Sequence, residues 1–303
     1  MFKTIVVGLD GRAGGHDALR LAARLARAGA TEIVAVRAFP YEPYASRFGP
    51  PIAPTIVTAQ CLEELDHELE GWRSVVDRRL AIGDSSPARA LHRVAEEQHA
   101  GLIVVGSTHR GPMGRVLVGD VAQATLHGSP CPVAIAPHAA VTALPDRGRL
   151  HRIGVGYDGG EESVQALGLA AALAHANGAA LHARWVVAVP PTLGGAPAAD
   201  ETWMEAGRAE SARRLDEALA GLDGVRVSGE AVIGNPVREL ARLSQEVDVL
   251  VVGSRAWGPT RRLFTGSTAA RLAREAHCPL LVLPRGAATG QPGERELAEV
   301  AAV

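Results

Sequence analysis

The sequence has 303 residues, a formal charge of −2 at pH 7 and 47% hydrophobic residues. That length suffices for two domains that each bury a core. Because lysine and arginine are spread along the chain, the charge pattern argues against a nucleic-acid-binding surface. We find neither a signal-peptide pattern nor a run of about 18 apolar residues, so we expect a cytoplasmic protein without a membrane span.

The predicted elements of the first half alternate between strands and helices. Strands are predicted at residues 4–7, 32–38, 102–105 and 133–136, and helices at 17–28, 56–80, 87–99 and 120–127. The third helix begins with Ser86 as N-cap and Pro87 at the first helical position. Such alternation is typical of a parallel sheet with helices on both faces.

The second half follows the same order after a linker at residues 137–149. Strands are predicted at residues 152–156, 181–188, 225–232, 248–252 and 280–283, and helices at 161–176, 200–220, 236–246 and 267–277. Asn235 and Pro236 repeat the helix start of the first half. Residues 286–303 form a tail to which we assign no function.

An internal duplication explains this order. VVGSTHRGPMGRVLVGDV at 104–121 matches VVGSRAWGPTRRLFTGST at 251–268, and 147 residues separate Gly106 from Gly253. The same alignment places Asp10 opposite Asp158. We predict two domains, 1–138 and 150–285, each a Rossmann-like, doubly wound parallel sheet of five strands.

Each repeated stretch predicts a strand, then a glycine-containing loop, then the start of a helix. Free N–H groups and the helix dipole at such a start favour a phosphate group. Ligands of these sheets bind at the carboxyl ends of the strands, where the two aspartates also lie. The spacing excludes a Walker-type loop, because Pro112 and Pro259 stand where its lysine belongs.

The spacing Gly-x2-Gly-x9-Gly-Ser/Thr, with an aspartate at the end of strand one, resembles the universal stress protein family. The resemblance implies an ATP-binding, adenine-nucleotide α-hydrolase-like fold, with Ala256 and His109 in place of the second glycine. The implied contacts in the second half are Asp158, Gly159, Val186, Val252, Gly253, Ala256, Gly266, Ser267 and Thr268. Those in the first half are Asp10, Gly106, His109, Gly119 and Asp120.

The two halves differ at the last position of this pattern. The second half keeps Ser267, whereas the first half has the negatively charged Asp120. We expect the Asp120 carboxylate to satisfy the helix N–H groups and to repel phosphate. The sequence therefore predicts one tight ATP per chain, in the second half, with Asp158 able to hold a magnesium ion.

The predicted function is that of a nucleotide-responsive regulatory protein. No nucleophile–base pair suggests turnover, so no catalytic residue is assigned. Two alternatives remain open: an enzyme that adenylates a substrate or slowly hydrolyses ATP, and a nucleotide-free scaffold. We also expect residues 133–136 and 280–283 to pair as two sheet edges, which makes the chain an intramolecular pseudo-dimer. A further homodimer and an unidentified protein partner are compatible with the sequence.

Overall fold

The computed structural model describes residues 2–26, 30–41, 54–107, 119–137, 149–189, 201–254 and 268–284. Among these residues, no helix is long and apolar enough to cross a membrane. The predicted linker and the C-terminal tail lie almost wholly outside them.

The first half contains five strands and four α-helices among its described residues. In chain order they are β1 (Thr4–Leu9), α1 (Ala13–Ala26), β2 (Glu32–Phe39), α2 (Pro54–Glu68), a 3-10 turn (Glu70–Trp72), β3 (Arg78–Gly83), α3 (Pro87–Glu97), β4 (Leu102–Gly106), α4 (Asp120–Leu126) and β5 (Val133–Ala136). The Ser86 side chain accepts a hydrogen bond from the Arg89 N–H, as expected of an N-cap.

The second half contains strands and helices in a similar order. It consists of β6 (Arg152–Tyr157), α5 (Glu161–Asn177), β7 (Ala180–Ala188), α6 (Glu201–Ala220), β8 (Arg226–Gly234), α7 (Pro236–Leu243), β9 (Val249–Gly253), α8 (Thr268–Glu275) and β10 (Leu280–Leu283). Asn235 caps α7 by accepting hydrogen bonds from Val237 and Arg238 N–H groups. The repeated, doubly wound α/β fold is thus confirmed.

One ten-stranded sheet runs through both halves, in the order β3-β2-β1-β4-β5-β10-β9-β6-β7-β8. The strands are parallel within each half. The halves meet where β10 pairs antiparallel with β5, and Leu281 lies opposite Ala134. Each edge strand covers the other, so the predicted pairing of residues 133–136 with 280–283 is confirmed.

The core has two layers because successive strand residues point to opposite faces. One layer packs under α1, α2, α5 and α6. The other packs under α3, α4, α7 and α8. In β1, for example, Val7 contributes to the first layer and Val6 to the second. The carboxyl ends of the strands therefore lie between two helical layers.

The predicted helix at residues 56–80 is wrong in its second part. Helix α2 ends at Glu68, and Arg78–Gly83 forms β3, which pairs in parallel with β2. The Asp77 carboxylate accepts a hydrogen bond from the Ile33 N–H at 2.8 Å, which fixes where this strand starts. An edge strand tolerates exposed arginines, so β3 lacks the apolar run that marks a central strand. Helix α1 also begins earlier than predicted, at Ala13.

Candidate functional site

A cavity of about 940 Å³ opens at the carboxyl ends of β1, β2 and β4 in the first half. The starts of α1, α3 and α4 complete its wall. It brings together three of the predicted residues, Asp10, Gly106 and Gly119. The described lining is Gly8, Leu9, Asp10, Arg12, Ala13, Gly14, Gly15, Val36, Ala38, Pro87, Leu91, Val105, Gly106, Ser107, Gly119, Val121 and Ala122.

The turn between β1 and α1 places a carboxylate and a guanidinium at the cavity. Asp10 Oδ1 accepts a hydrogen bond from the Arg12 N–H at 3.1 Å. Gly11 between them has φ of 73°, which favours glycine. Arg12 is exposed and lines the cavity, but the sequence comparison overlooked it. The aligned sequences do show a difference at this position, because the residue that corresponds to Arg12 in the second half is Gly160.

The first glycine of each repeated pattern is required by packing. An ideal Cβ on Gly106 would lie 2.0 Å from the Gly14 carbonyl oxygen. On Gly253 it would lie 2.6 Å from the backbone of Glu162. Strands β4 and β9 thus approach the first turns of α1 and α5 too closely for any side chain, whether or not a ligand is present.

The start of α4 differs from the expectation for Asp120. Gly119 is the N-cap and makes no side-chain capping hydrogen bond, while Asp120 is the first helical residue and is exposed. The expected capping role of Asp120 is therefore wrong, because its position is one residue too late. A carboxylate there still interacts favourably with the helix dipole.

A group of charged side chains lies behind the β1–α1 turn. The Arg37 guanidinium is 3.4 Å from a Glu64 oxygen and 3.5 Å from a Glu68 oxygen. His16 Nε2 lies 3.7 Å from Glu68 Oε1. Burial raises the pKa of Glu68, and the neighbouring Arg37 and His16 only partly oppose this effect. An ideal Cβ on Gly11 would come within 2.9 Å of Arg37 Nη2, so the cluster supports the turn directly.

The second half builds the equivalent turn with other side chains. Asp158 Oδ1 accepts a hydrogen bond from the Gly160 N–H at 2.9 Å, and Gly159 has φ of 76°. Trp185 covers this turn and has the Arg214 guanidinium 5.5 Å from its ring centroid. A cation over an aromatic ring thus replaces the ion pairs of the first half.

The other predicted residues of the second half are only partly described. Val186 is half-buried and pairs with Val232 on β8, and Val252 is buried near the end of β9. Thr268 is exposed at the first position of α8. The predictions at Ala256, Gly266 and Ser267, and that at His109 in the first half, fall outside the described residues.

The first turns of α1 and α5 give the carboxyl ends of the strands a different charge in the two halves. Glu161 and Glu162 begin α5, where the first half has Ala13 and Gly14. With Asp158 they bring three carboxylates to this end of the sheet. The corresponding first-half segment carries Asp10 and the cation Arg12. This difference lies outside the glycine loops on which the sequence-based prediction of the site depends.

Metal-binding groups and cysteine thiols are the other candidates for reactive chemistry. The described residues contain no group of three or more histidine, cysteine, aspartate or glutamate side chains that could hold a metal ion. Burial raises the pKa of Cys131 to about 12, which keeps this thiol protonated and unreactive. Burial likewise raises the pKa of Cys278.

Comparison with known proteins gives one consistent family. Residues 1–137 and 149–284 each match the model of the Universal stress protein family. A universal stress protein of Mycobacterium tuberculosis is 30% identical over 303 residues, covering 93% of this chain and 99% of that protein. One from Mycolicibacterium smegmatis is 29% identical over 296 residues, covering 92% and 96%.

Solved structures agree on the fold. The crystal structure of a universal stress protein from Archaeoglobus fulgidus superposes with a TM-score of 0.64 at 22% identity. The match covers 93% of this chain and 96% of that one. The similarity of fold therefore extends over both halves.

Proposed function

The chain belongs to the universal stress protein family, and we propose that it binds an adenine nucleotide, ATP first of all, as a nucleotide-responsive regulatory protein. The observation that carries this proposal is the cavity of about 940 Å³ at the carboxyl ends of β1, β2 and β4. Its volume lies within the roughly 300–1,000 Å³ of small-molecule sites, and its position is the one at which such sheets bind ligands.

The lining of the cavity supports a ligand with an apolar ring at one end and phosphates at the other. Val36, Ala38 and Leu91 form an apolar wall between β2 and α3 that suits a base. Arg12, just before α1, and the backbone at Gly119, just before α4, also line the cavity and supply polar groups. A guanidinium recognises phosphate through charge-assisted hydrogen bonds. Asp10 would hold a magnesium ion beside the phosphates, so magnesium should assist binding.

The sequence predicts the tighter site in the second half, from Ser267 at a helix start. The described residues favour the opposite order. The first-half turn carries the cation Arg12 beside Asp10, with the exposed Asp120 at the start of α4, whereas the equivalent second-half turn carries the three carboxylates of Asp158, Glu161 and Glu162. We therefore propose the first-half cavity as the principal site. The contacts predicted at Asp158, Val186 and the loop around Gly266 are not part of this proposed site and stay an untested prediction.

Calorimetric titration of the full chain with ATP, ADP, GTP and NAD tests the proposal. We expect ATP and ADP to bind more tightly than GTP or NAD. Removing the guanidinium in Arg12→Ala should weaken ATP about 5- to 50-fold, since a charge-assisted hydrogen bond contributes about 1.5–3 kcal/mol before solvent screening. Arg208→Ala, which removes an exposed arginine from α6, is the matched control.

Three results would contradict this function. Equal affinity for GTP, or preference for NAD, would exclude an adenine-nucleotide site. An adenylated substrate released from the purified protein, identified by mass spectrometry, would favour the adenylating enzyme. Absence of any nucleotide binding would favour the third alternative, a nucleotide-free scaffold.

A further inference from the structure

Arg184 occupies, in the second half, the place of a cavity-lining residue of the first. Val36 on β2 pairs with Gly8 of β1, and Arg184 on β7 pairs with Gly156 of β6. A Cβ on either glycine would lie 3.1 Å from a leucine of the covering helix, α3 or α7. Val36 and Arg184 therefore hold the same position in the repeat, on the same face of the sheet.

The Arg184 side chain donates hydrogen bonds both to α7 and to the strand beside β7. Nη1 donates a hydrogen bond to the Glu239 carbonyl oxygen of α7 at 3.1 Å. Nη2 donates to Glu230 Oε2 of β8 at 2.9 Å. Only 12% of the side chain is exposed, although that of Glu230 is 60% exposed. The guanidinium thus bridges the sheet and the helix.

The corresponding gap in the first half is open. Val36 and Ala38 on one side and Leu91 on the other line the cavity. The strand partner of Val36 is Leu80, whereas that of Arg184 is Glu230, so the first half has no ion pair at this place. A planar base that enters the second-half gap would have to displace a buried guanidinium from its two acceptors, and such displacement is costly.

We propose that Arg184 closes the base-binding part of the second-half crevice, so that only the first half takes an adenine nucleotide. This inference rests on the function proposed above. It makes Arg184 the residue that separates a binding half from a non-binding half. The carboxylates of Glu161 and Glu162 act separately, on the phosphate end.

The fold should tolerate removal of Arg184. Its Nε is buried and has no hydrogen-bond partner among the described residues. A buried N–H without an acceptor is itself unfavourable, and apolar replacements of buried ion pairs are often neutral or stabilising. Its partner Glu230 is exposed enough to be hydrated. Arg184→Val with Glu230→Leu copies the first-half pair of Val36 and Leu80.

The test compares ATP stoichiometry and the location of bound nucleotide in the full chain. Calorimetry counts sites, and photolabelling with 8-azido-ATP followed by peptide mapping assigns each to a half. All variants carry Glu161→Ala and Glu162→Gly, which copy the first half and remove phosphate repulsion. We expect one site, in the first half, in this background. Adding Arg184→Val with Glu230→Leu should create a second, labelled in the second half.

The reverse change closes the first-half site. Val36→Arg should weaken ATP about 100-fold or more, as expected when a ligand must displace a buried charge. Because this variant buries a charge in the core, Ala38→Phe, which fills the cavity without charge, is made in parallel and checked by thermal unfolding. Arg208→Val is the control for removal of an exposed arginine and should leave one site.

The outcomes separate this inference from the proposed function. One labelled site in the first half that stays single after Arg184 is replaced would overturn the inference and leave the function intact. Labelling of the second half before any change at Arg184 would overturn it too. If no variant binds ATP, both the function and the inference fail.

Discussion

The two halves share their topology but not their crevices. Both need a glycine where β4 or β9 meets a helix, and both close the first turn with an aspartate and a glycine of positive φ. Facing the crevice, however, Val36 corresponds to Arg184. Duplication has therefore kept the residues that backbone packing requires, while those that would touch a ligand have diverged.

Separation of the two halves should have the largest effect. Expression of residues 1–148 and 149–303 as two chains would expose β5 and β10, whose residues are almost fully buried in the intact protein. We expect each half to form dimers or aggregates, because an uncovered apolar edge strand pairs with another chain. Size-exclusion chromatography with light scattering measures this. Two soluble monomers would contradict the idea that the halves depend on each other.

Alanine at the packing glycines should give the next largest effect. Gly106→Ala places Cβ against the Gly14 carbonyl and Gly253→Ala against the Glu162 backbone, and neither neighbour can rotate away. We expect a loss of about 3–5 kcal/mol in the free energy of unfolding, larger for Gly106, where the clash is closer. Urea denaturation measures it.

Two other glycines serve as controls for this experiment, one in each half. A Cβ on Gly71 or Gly221 meets no atom within 4 Å. Alanine there should leave the free energy of unfolding unchanged within about 0.5 kcal/mol. A mild effect at Gly106, equal to that at Gly71, would show that α1 can move away from β4.

We expect a smaller loss of stability from a substitution at the start of α3. Asp84 has no counterpart in the second half, where Ile233 stands two residues before the N-cap. Its carboxylate accepts hydrogen bonds from the Ser86 N–H at 2.9 Å and from Arg89 Nη2 at 2.6 Å. Asp84→Ala should lower the free energy of unfolding by about 1–3 kcal/mol through the lost bonds. Asp66→Ala, at an exposed ion pair, is the control.

This stabilisation by Asp84 should depend on pH. The hydrogen bond from Arg89 is the main cause that lowers the Asp84 pKa below its usual 3.8. The folded state therefore binds this proton more weakly than the unfolded state does. The contribution is complete above pH 3.8 and disappears as the pH falls through the lower, folded-state pKa. The stability difference between the wild type and Asp84→Ala, measured from pH 7 down to 2, should shrink accordingly.

The sequence predicted the fold well because the central strands are continuous apolar runs and the helix starts carry explicit caps. Ser86-Pro87 and Asn235-Pro236 fixed two helix starts correctly. The failure at β3 has a physical reason. An edge strand that begins with Arg78 and Arg79 is stabilised by pairing with β2, which no local pattern reveals.

The site was harder to predict for a related reason. Asp10, Gly106 and Gly119 could be placed at one cavity because strand ends of a parallel sheet converge. The role of Arg184 could not, since it depends on which strand residue faces α7 and on a backbone carbonyl that the guanidinium reaches. Arg12 and Glu161 were visible in the aligned sequence but lie outside the glycine pattern.

The antiparallel contact of β5 with β10 also decides what the molecule presents to its surroundings. Each of these strands runs parallel to the rest of its own half, so all strands of one half run against those of the other. The carboxyl ends of the strands, where the crevices lie, therefore point in opposite directions in the two halves of the sheet. Among the described residues, the two halves are linked by this strand pair and by the hydrogen bond that Arg274 of α8 donates to Gln123 of α4 at 3.2 Å, so any communication between the crevices would involve these contacts.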